Sequence, residues 1–243
     1  MLVLGIDSSS PVNALGLFNQ SGLLGEVNIR LHNRHSERLL ANIDFLLKGA
    51  GYTVRDLAGI AVATGPGSFT GLRIALSTVK TMIQVLGIPV VGLSTLDLLA
   101  YNLVQQPNWL VPVIDAGRNR VYTALFREWR QDIRSVKERE DRAIPLEQLL
   151  AELAEIEGNT CFVMVGDGVS AYRDILGNSP LPIRLATANS NTIRGSVVAE
   201  LGYYYLQQGV SDHYLELLPN YLKKPQAELN WQKKYRSGGS KWR

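Results

Sequence analysis

The chain has 243 residues, 46% of them hydrophobic, with a single cysteine and a net charge of +3. That length allows one or two domains with a real core. No run is long enough to cross a membrane, and a lone Cys161 excludes an internal disulfide and a cysteine metal cluster, which fits a reducing compartment. The charge is uneven: Lys223 to Arg243 holds seven basic residues and one acid, so a mildly acidic body carries a basic tail.

Leu2 to Asp7 reads as a strand with no basic leader before it, so no signal peptide is expected and the cytoplasm is the expected location. Ser8-Ser9-Ser10-Pro11 turns the chain, Asn13 to Phe18 returns, and Leu24 to Ile29 follows Gln20-Ser21-Gly22, an antiparallel meander. The polar stretch 31–38 carries His32 and His35, read as surface residues. Ser36 can cap a helix with the stripe Leu39, Leu40, Ile43, Leu46, Leu47 and Ala50, which Gly49 and Gly51 end.

Leu57 to Ala63 is a short apolar run of strand type, and Leu72, Ala75, Leu76, Val79, Met82, Ile83 and Leu86 recur at helical spacing. Between them Gly65-Pro66-Gly67 must turn tightly, and Ser68 or Thr70 can cap the new helix. Arg73 sits in its first turn, where the helix dipole disfavours a cation. Either a carboxylate, phosphate or carbonyl elsewhere holds it, or it bonds back to the loop. The opposite face, Ile74, Ser77, Thr78, Thr81 and Val85, is small or apolar, so the helix is expected to be covered on both sides, one by its own sheet and one by a second helix. Gly87-Ile88-Pro89 ends the helix, Val90 to Leu93 is a strand, and Ser94 caps a helix through about Val104.

The opening then repeats at an offset of 108 residues. Leu2, Val3, Ile6, Asp7, Leu17 and Phe18 match Leu110, Val111, Ile114, Asp115, Leu125 and Phe126, and Phe162 to Gly168 repeats the order strand, Gly-x-Gly, helix. Such a repeat predicts two similar lobes, each a meander followed by alternating helices and strands. The expected division is 1–105 for a first lobe with partner-binding helices, 106–222 for a second, reduced lobe, and 223–243 for a tail that is mostly disordered. Within the second lobe Trp129 to Arg142 reads as a solvated edge strand and loop, Pro145 to Ile156 and Thr192 to Leu206 as helices, and Pro219 to Lys224 as an extended piece.

Two strands ending in Asp, each followed by a small-residue turn, resemble the phosphate loops of the actin, hexokinase and Hsp70-like ATPase (ASKHA) superfamily. The resemblance implies an α/β fold of two duplicated lobes, each a mixed sheet with flanking helices. It makes Asp7, Ser8, Ser9, Asp115, Gly117, Gly166 and Gly168 candidate vestigial phosphate-binding positions, since turn amides in a concave nest bind anions. Two departures count against a working ATP site: the first turn has no glycine and runs into Pro11, and the second runs into Arg118-Asn119-Arg120. No Walker loop, His-Glu-x-x-His motif or Gly-x-Ser-x-Gly elbow is present.

Gly65-Pro66-Gly67-Ser68-Phe69-Thr70-Gly71-Leu72-Arg73, the Gly-Ile-Asp-Ser-Ser opening, His35-Ser36-Glu37-Arg38-Leu39-Leu40 and Val113-Ile114-Asp115-Ala116-Gly117-Arg118 together resemble the TsaB (YeaZ) family. The match is strong over about residues 1 to 125 and continues weakly to Pro219-Asn220-Tyr221-Leu222. The resemblance implies a non-catalytic relative of the TsaD threonylcarbamoyltransferase. Such a protein is required for threonylcarbamoylation of adenosine 37 in tRNAs that read codons beginning with A. It also implies TsaD, TsaE and a second copy of the chain as partners, contact with tRNA only through the complex, no membrane and no firm cofactor, with ATP or ADP entering only alongside partners.

Where TsaD-type proteins carry a His-x-x-x-His metal motif, the matching positions here are Thr95 and Leu99. Arg73, Ile74, Ser77, Thr78, Thr81, His35 and Glu37 are the expected partner-binding residues, on two helices lying side by side. Three other readings stay open. One is an ATP-dependent carbamoyl or phosphoryl transferase using Asp7 and Asp115. Another is a metallopeptidase, against which the absent His pair argues. The third is a nucleic-acid-binding tail using Trp231, Tyr235 and Trp242 among its cations.

Overall fold

The computed structural model describes residues 1–30, 35–103, 108–129, 135–157 and 160–222. The tail from Lys223, His32 and the predicted helix end at Val104 therefore lie outside the described residues. The first half runs β1 (Val3–Asp7), β2 (Val12–Asn19), β3 (Gly22–Arg30), α1 (His35–Gly49), β4 (Gly59–Gly65), α2 (Phe69–Leu86), β5 (Val90–Ser94) and α3 (Thr95–Tyr101). The second runs β6 (Trp109–Asp115), β7 (Arg120–Trp129), β8 (Ser135–Pro145), α4 (Leu146–Ala154), β9 (Phe162–Val165), α5 (Gly168–Ala171), α6 (Arg173–Gly177), β10 (Ile183–Leu185) and α7 (Gly195–Gln207).

The two halves form two five-stranded sheets of one topology. The first has the order β3-β2-β1-β4-β5 and the second β8-β7-β6-β9-β10, so each strand of one sheet has a counterpart in the other. In both, three antiparallel strands form a meander and two further strands lie parallel to the first. The duplicated two-lobe α/β architecture expected from the repeat is the architecture observed. No helix among the described residues is long and apolar enough to cross a membrane.

Three hydrophobic clusters follow from this arrangement. α1 and α2 cover the outer face of the first sheet with Leu39, Ile43, Leu72 and Val79 against Leu4, Ile6 and Val62. Residues of α4, α5 and α6 cover the outer face of the second, with Leu146, Leu149 and Leu176 against Val111 and Met164. Between the sheets, α3 and α7 bury Leu96, Leu99, Val198 and Leu201 with Val3, Leu110 and Phe126. α7 lies almost on the backbone of the first sheet: a Cβ on Gly16 would strike the Gly195 carbonyl oxygen, and one on Gly202 would strike the Ala61 Cβ. The small residues Gly195, Ala199 and Gly202 lie along α7 because nothing larger admits that approach.

The structure corrects three details of the sequence reading. Leu40, placed in the buried stripe of α1, is 61% exposed, because the sheet covers only Leu39, Ile43, Leu46 and Leu47. The charged stretch ending at Arg142 is more than a solvated edge: Arg139 and Arg142 both bond Glu152 of α4, and Lys137 pairs with Asp97 and Asp141.

The third correction concerns the repeat itself. Leu4 pairs with Leu17 in the first hairpin, while Leu110 pairs with Phe126 in the second, which sets Val111 opposite Leu125. Leu4 and Val111 both face outward, and so do Ile6 and Val113, whereas Ile114 faces the inter-sheet cluster. The first strands therefore correspond at an offset of 107 and the second strands at 108. Asp7 corresponds to Ile114, and Asp115 to Ser8. Because side chains alternate along a strand, the two aspartates point to opposite faces of their sheets.

Candidate functional site

The Gly-Pro-Gly loop and the first turn of α2 are built onto the β1–β2 turn. Gly65 has φ +110°, open to glycine, and its bond to Pro66 is cis. Ser68 caps α2 by accepting from the Gly71 amide at 3.3 Å, and its own amide donates to the Ser9 carbonyl at 2.6 Å. The Ser8 hydroxyl donates to the Gly71 carbonyl at 2.8 Å. A Cβ on Gly67 would strike the Ser9 carbonyl oxygen, and one on Gly71 the Ser8 carbonyl oxygen. The glycines after Gly65 thus serve backbone-to-backbone docking, and the Ser8 hydroxyl is used in it.

Asp7 is fully buried at the end of β1. One carboxylate oxygen accepts from the Ser9 amide at 2.8 Å, and the other has no hydrogen-bond partner among the described residues. Burial pushes its pKa up to about 6, against the pull of the bond from Ser9. Beside it the two lobes enclose a cleft of about 120 Å³, lined by Ser9, Ser10, Thr95, Leu99, Ile114, Asp167 and Asn191 among others. A small-molecule site is commonly about 300–1,000 Å³, so this cleft is small for a nucleotide.

The second hairpin directs its acid elsewhere. Asp115 is exposed, and its Oδ1 accepts from the Gly117 amide at 2.8 Å and from the Tyr172 hydroxyl at 2.6 Å. Burial and the Asp115 carboxylate push the Tyr172 phenol up to about 12. Asp167 accepts from the Asp115 amide at 2.9 Å, and burial, with the Asp115 charge nearby, holds its carboxyl above the usual range. Gly117, Arg118 and Asn119 all have positive φ and form the hairpin tip. Gly166 and Gly168 both pack on Val113: a Cβ on either would come within van der Waals contact of its carbonyl, and Gly166 donates to Asn191 Oδ1 at 2.9 Å. The seven sequence-predicted positions are thus not one constellation. Of them only Ser9 lines the cleft, joined there by Asp167, which the sequence reading missed although it lies inside the Gly-x-Gly motif.

On the outer surface, Ile74 and Thr78 are half-buried while Ser77, Thr81 and Val85 are exposed. Ser77, Thr78, Thr81, Met82 and Val85 line one side of a groove, with Leu40 of α1 and Val54 on the other. Leu40, Phe45, Val54 and Val85 leave 61%, 69%, 41% and 80% of their surfaces exposed, an apolar patch of the kind that marks interaction sites. His35 and Glu37 begin α1, and their side chains lie outside the described residues. Arg73 has a partner that the sequence reading did not foresee. Its Nε donates to the Tyr221 hydroxyl at 3.1 Å, and its guanidinium lies 3.9 Å from the Phe69 ring centre, with Phe69 stacked on Tyr221. Tyr221 is brought there by a C-terminal segment pinned through the Asn220 amide to the Thr64 carbonyl at 2.7 Å.

Thr95 and Leu99 both line the cleft, one turn apart on α3. A hydroxyl and an isobutyl group there do not supply the nitrogen ligands that a transferase metal would need. Among the described residues no group of three His, Cys, Asp or Glu could hold a metal ion.

The model of the TsaD family, tRNA N6-adenosine threonylcarbamoyltransferase, matches residues 25–231. The tRNA threonylcarbamoyladenosine biosynthesis protein TsaB of Bacillus subtilis is 30% identical over 95% of this chain and 98% of its own. The TsaB protein of Escherichia coli is 28% identical over 76% of this chain and 79% of its own. YeaZ from Pseudomonas aeruginosa superposes with a TM-score of 0.76 at 22% identity, over 91% of this chain and 99% of that one, a likeness of fold. With a family model and a relative matched over nearly its whole length in agreement, the chain belongs to the TsaB family, within the wider TsaD group.

Proposed function

We propose that this chain is a non-catalytic partner of TsaD in threonylcarbamoylation of adenosine 37 in tRNAs that read codons beginning with A, acting in the cytoplasm. The observation that carries the reading is the chemistry of the cleft: Thr95 and Leu99 stand in it where a catalytic relative would present its histidine pair. A chain with the transferase fold and no metal ligands there supports turnover through contact. The contact surface in this reading is the α1–α2 face. Small side chains at Ser77, Thr78 and Thr81 let another helix approach closely, and Leu40, Val54 and Val85 supply apolar area. The same face serves TsaD and, in its absence, a second copy, with TsaE joining the complex and tRNA reached only through it. The chain needs no cofactor of its own, and ATP or ADP enters only alongside partners.

The test is threonylcarbamoylation of tRNA by the other proteins of the pathway, with and without this chain. Modification should depend on it, while the chain alone should neither modify tRNA nor retain metal. Full modification in its absence would refute the reading and reopen phosphoryl or carbamoyl transfer through Asp7 and Asp115.

A further inference from the structure

The inter-lobe cleft holds polar groups for which the fold supplies no partners. Thr95 is 98% buried and Ser9 95% buried, both line the cleft, and the hydroxyl of each lacks a hydrogen-bond partner among the described residues. Buried hydroxyls are nearly always bonded, so two unpaired in one cavity call for an occupant. The cavity walls around them include the apolar side chains of Leu99, Ile114 and Ile193. At the rim, two exposed residues of opposite sign line the same cavity, Arg30 from the end of β3 and Asp167 from the β9–α5 turn. No ion pair joins Arg30 to a carboxylate among the described residues.

The size of the space restricts the occupant. A cavity of roughly 150 Å³ accommodates benzene, with its six heavy atoms. At about 120 Å³, with an open mouth, this cleft suits a ligand of that order. A simple anion would satisfy Arg30 and repel Asp167, and a simple cation the reverse. A nucleotide is several times too large.

We propose that the cleft binds a small zwitterion, an α-amino acid with a hydroxylated side chain. Its carboxylate faces Arg30 and its ammonium Asp167, while its side chain enters among Leu99 and Ile114 to pair with the hydroxyls of Ser9 and Thr95. This proposal is independent of the partner role: the ligand site lies between the sheets, and the docking face lies on the outside of the first.

Titration calorimetry on the full chain, with L-serine as the probe, tests it. Acetate and ethylammonium isolate the two charges, L-alanine removes the hydroxyl, and ADP is the competitor. L-serine should bind saturably, L-alanine about fivefold more weakly, as one lost hydrogen bond implies. Acetate and ethylammonium should give no saturable heat, and ADP should not displace L-serine. Arg30→Gln, at an exposed position, and Thr95→Val, close in shape, should each weaken L-serine binding at least about fivefold. A flat L-serine titration would mean that water alone fills the cleft and would overturn the proposal. So would wild-type affinity in Arg30→Gln, or displacement of L-serine by ADP.

Discussion

Asp7 shows what a residue's surroundings do to a role suggested by its place in the sequence. An acid at a strand end before a small-residue turn looks like a phosphate-site ligand, and the turn chemistry is compatible with that. Which face the carboxylate takes depends on the parity of the strand, and hydrogen-bond register settles that parity. A one-residue difference between the two hairpins buries Asp7 and exposes Asp115. The consequence is measurable. Asp7 titrates near 3.8 when unfolded and near 6 when folded, so the folded state holds its proton more tightly. Below pH 3.8 the burial carries no ionic penalty. As pH rises through the window from 3.8 to about 6, stability falls, and the loss is complete above it. A shift of about two units corresponds to about 3 kcal/mol. Asp7→Asn should therefore raise the melting temperature at pH 7.5 and remove that part of the pH dependence, read from denaturation midpoints between pH 4 and 8. Unchanged pH dependence in the variant would place the titrating group elsewhere. Arg73 teaches the complementary lesson. Its awkward position at a helix start was visible in the sequence, but its partner, Tyr221, lies 148 residues away and no local pattern announces it.

At the scale of the element, α2 and its loop were largely legible. The period, the Ser68 cap and the Gly87 stop are local signals, and local energetics realise them. The reason for Gly71 was not legible, because it is a contact with the backbone of another turn. Gly71→Ala should cost at least about 2 kcal/mol by overpacking against the Ser8 carbonyl. Gly49→Ala, near the end of α1 with open space around its Cβ position, should instead gain up to about 1 kcal/mol. Urea midpoints for the pair separate docking from helix propensity. The outward face makes a different prediction, because it is half-exposed and carries no fold energy of that size. Thr78→Arg should leave the urea midpoint within about 0.5 kcal/mol of the original. It should abolish both self-association and complex formation with TsaD, read by sedimentation of the chain alone and mixed. Intact assemblies with Arg at position 78 would move the docking face away from α2.

For the whole molecule, the repeat in the sequence gave away the doubled topology, since paired strands, turns and helix starts recur in order. How the halves are held together was not legible, because those contacts cross between segments with no shared pattern. Lys137 of β8 reaches Asp97 of α3 at 2.8 Å and Asp141 of its own strand at 2.7 Å. Asp141 also accepts from the Ser94 hydroxyl at 2.6 Å, and Asn102 donates to the Ser190 and Thr192 carbonyls. These bonds tie α3 of the first lobe to the second on both sides of the buried cluster around α7. Superfamily relatives with open lobes close around a ligand by hinge motion; here the lobes start out fastened. The lysine side chain is only 16% exposed, and burial already holds the Asp97 carboxyl above its usual range. Removing the cation strands two carboxylates in a half-buried site, a change that costs about 3–5 kcal/mol in buried pairs. Lys137→Met should destabilise the chain at neutral pH by an amount near the lower end of that range. Because the stranded acids take up protons more readily in the folded state, the deficit should shrink as pH falls towards 5. Adding Asp97→Asn should recover part of the loss, since one of the two unpaired charges is gone. If the double variant is no more stable than Lys137→Met, the network is not what fastens the lobes, and the apolar packing around α7 alone sets their angle.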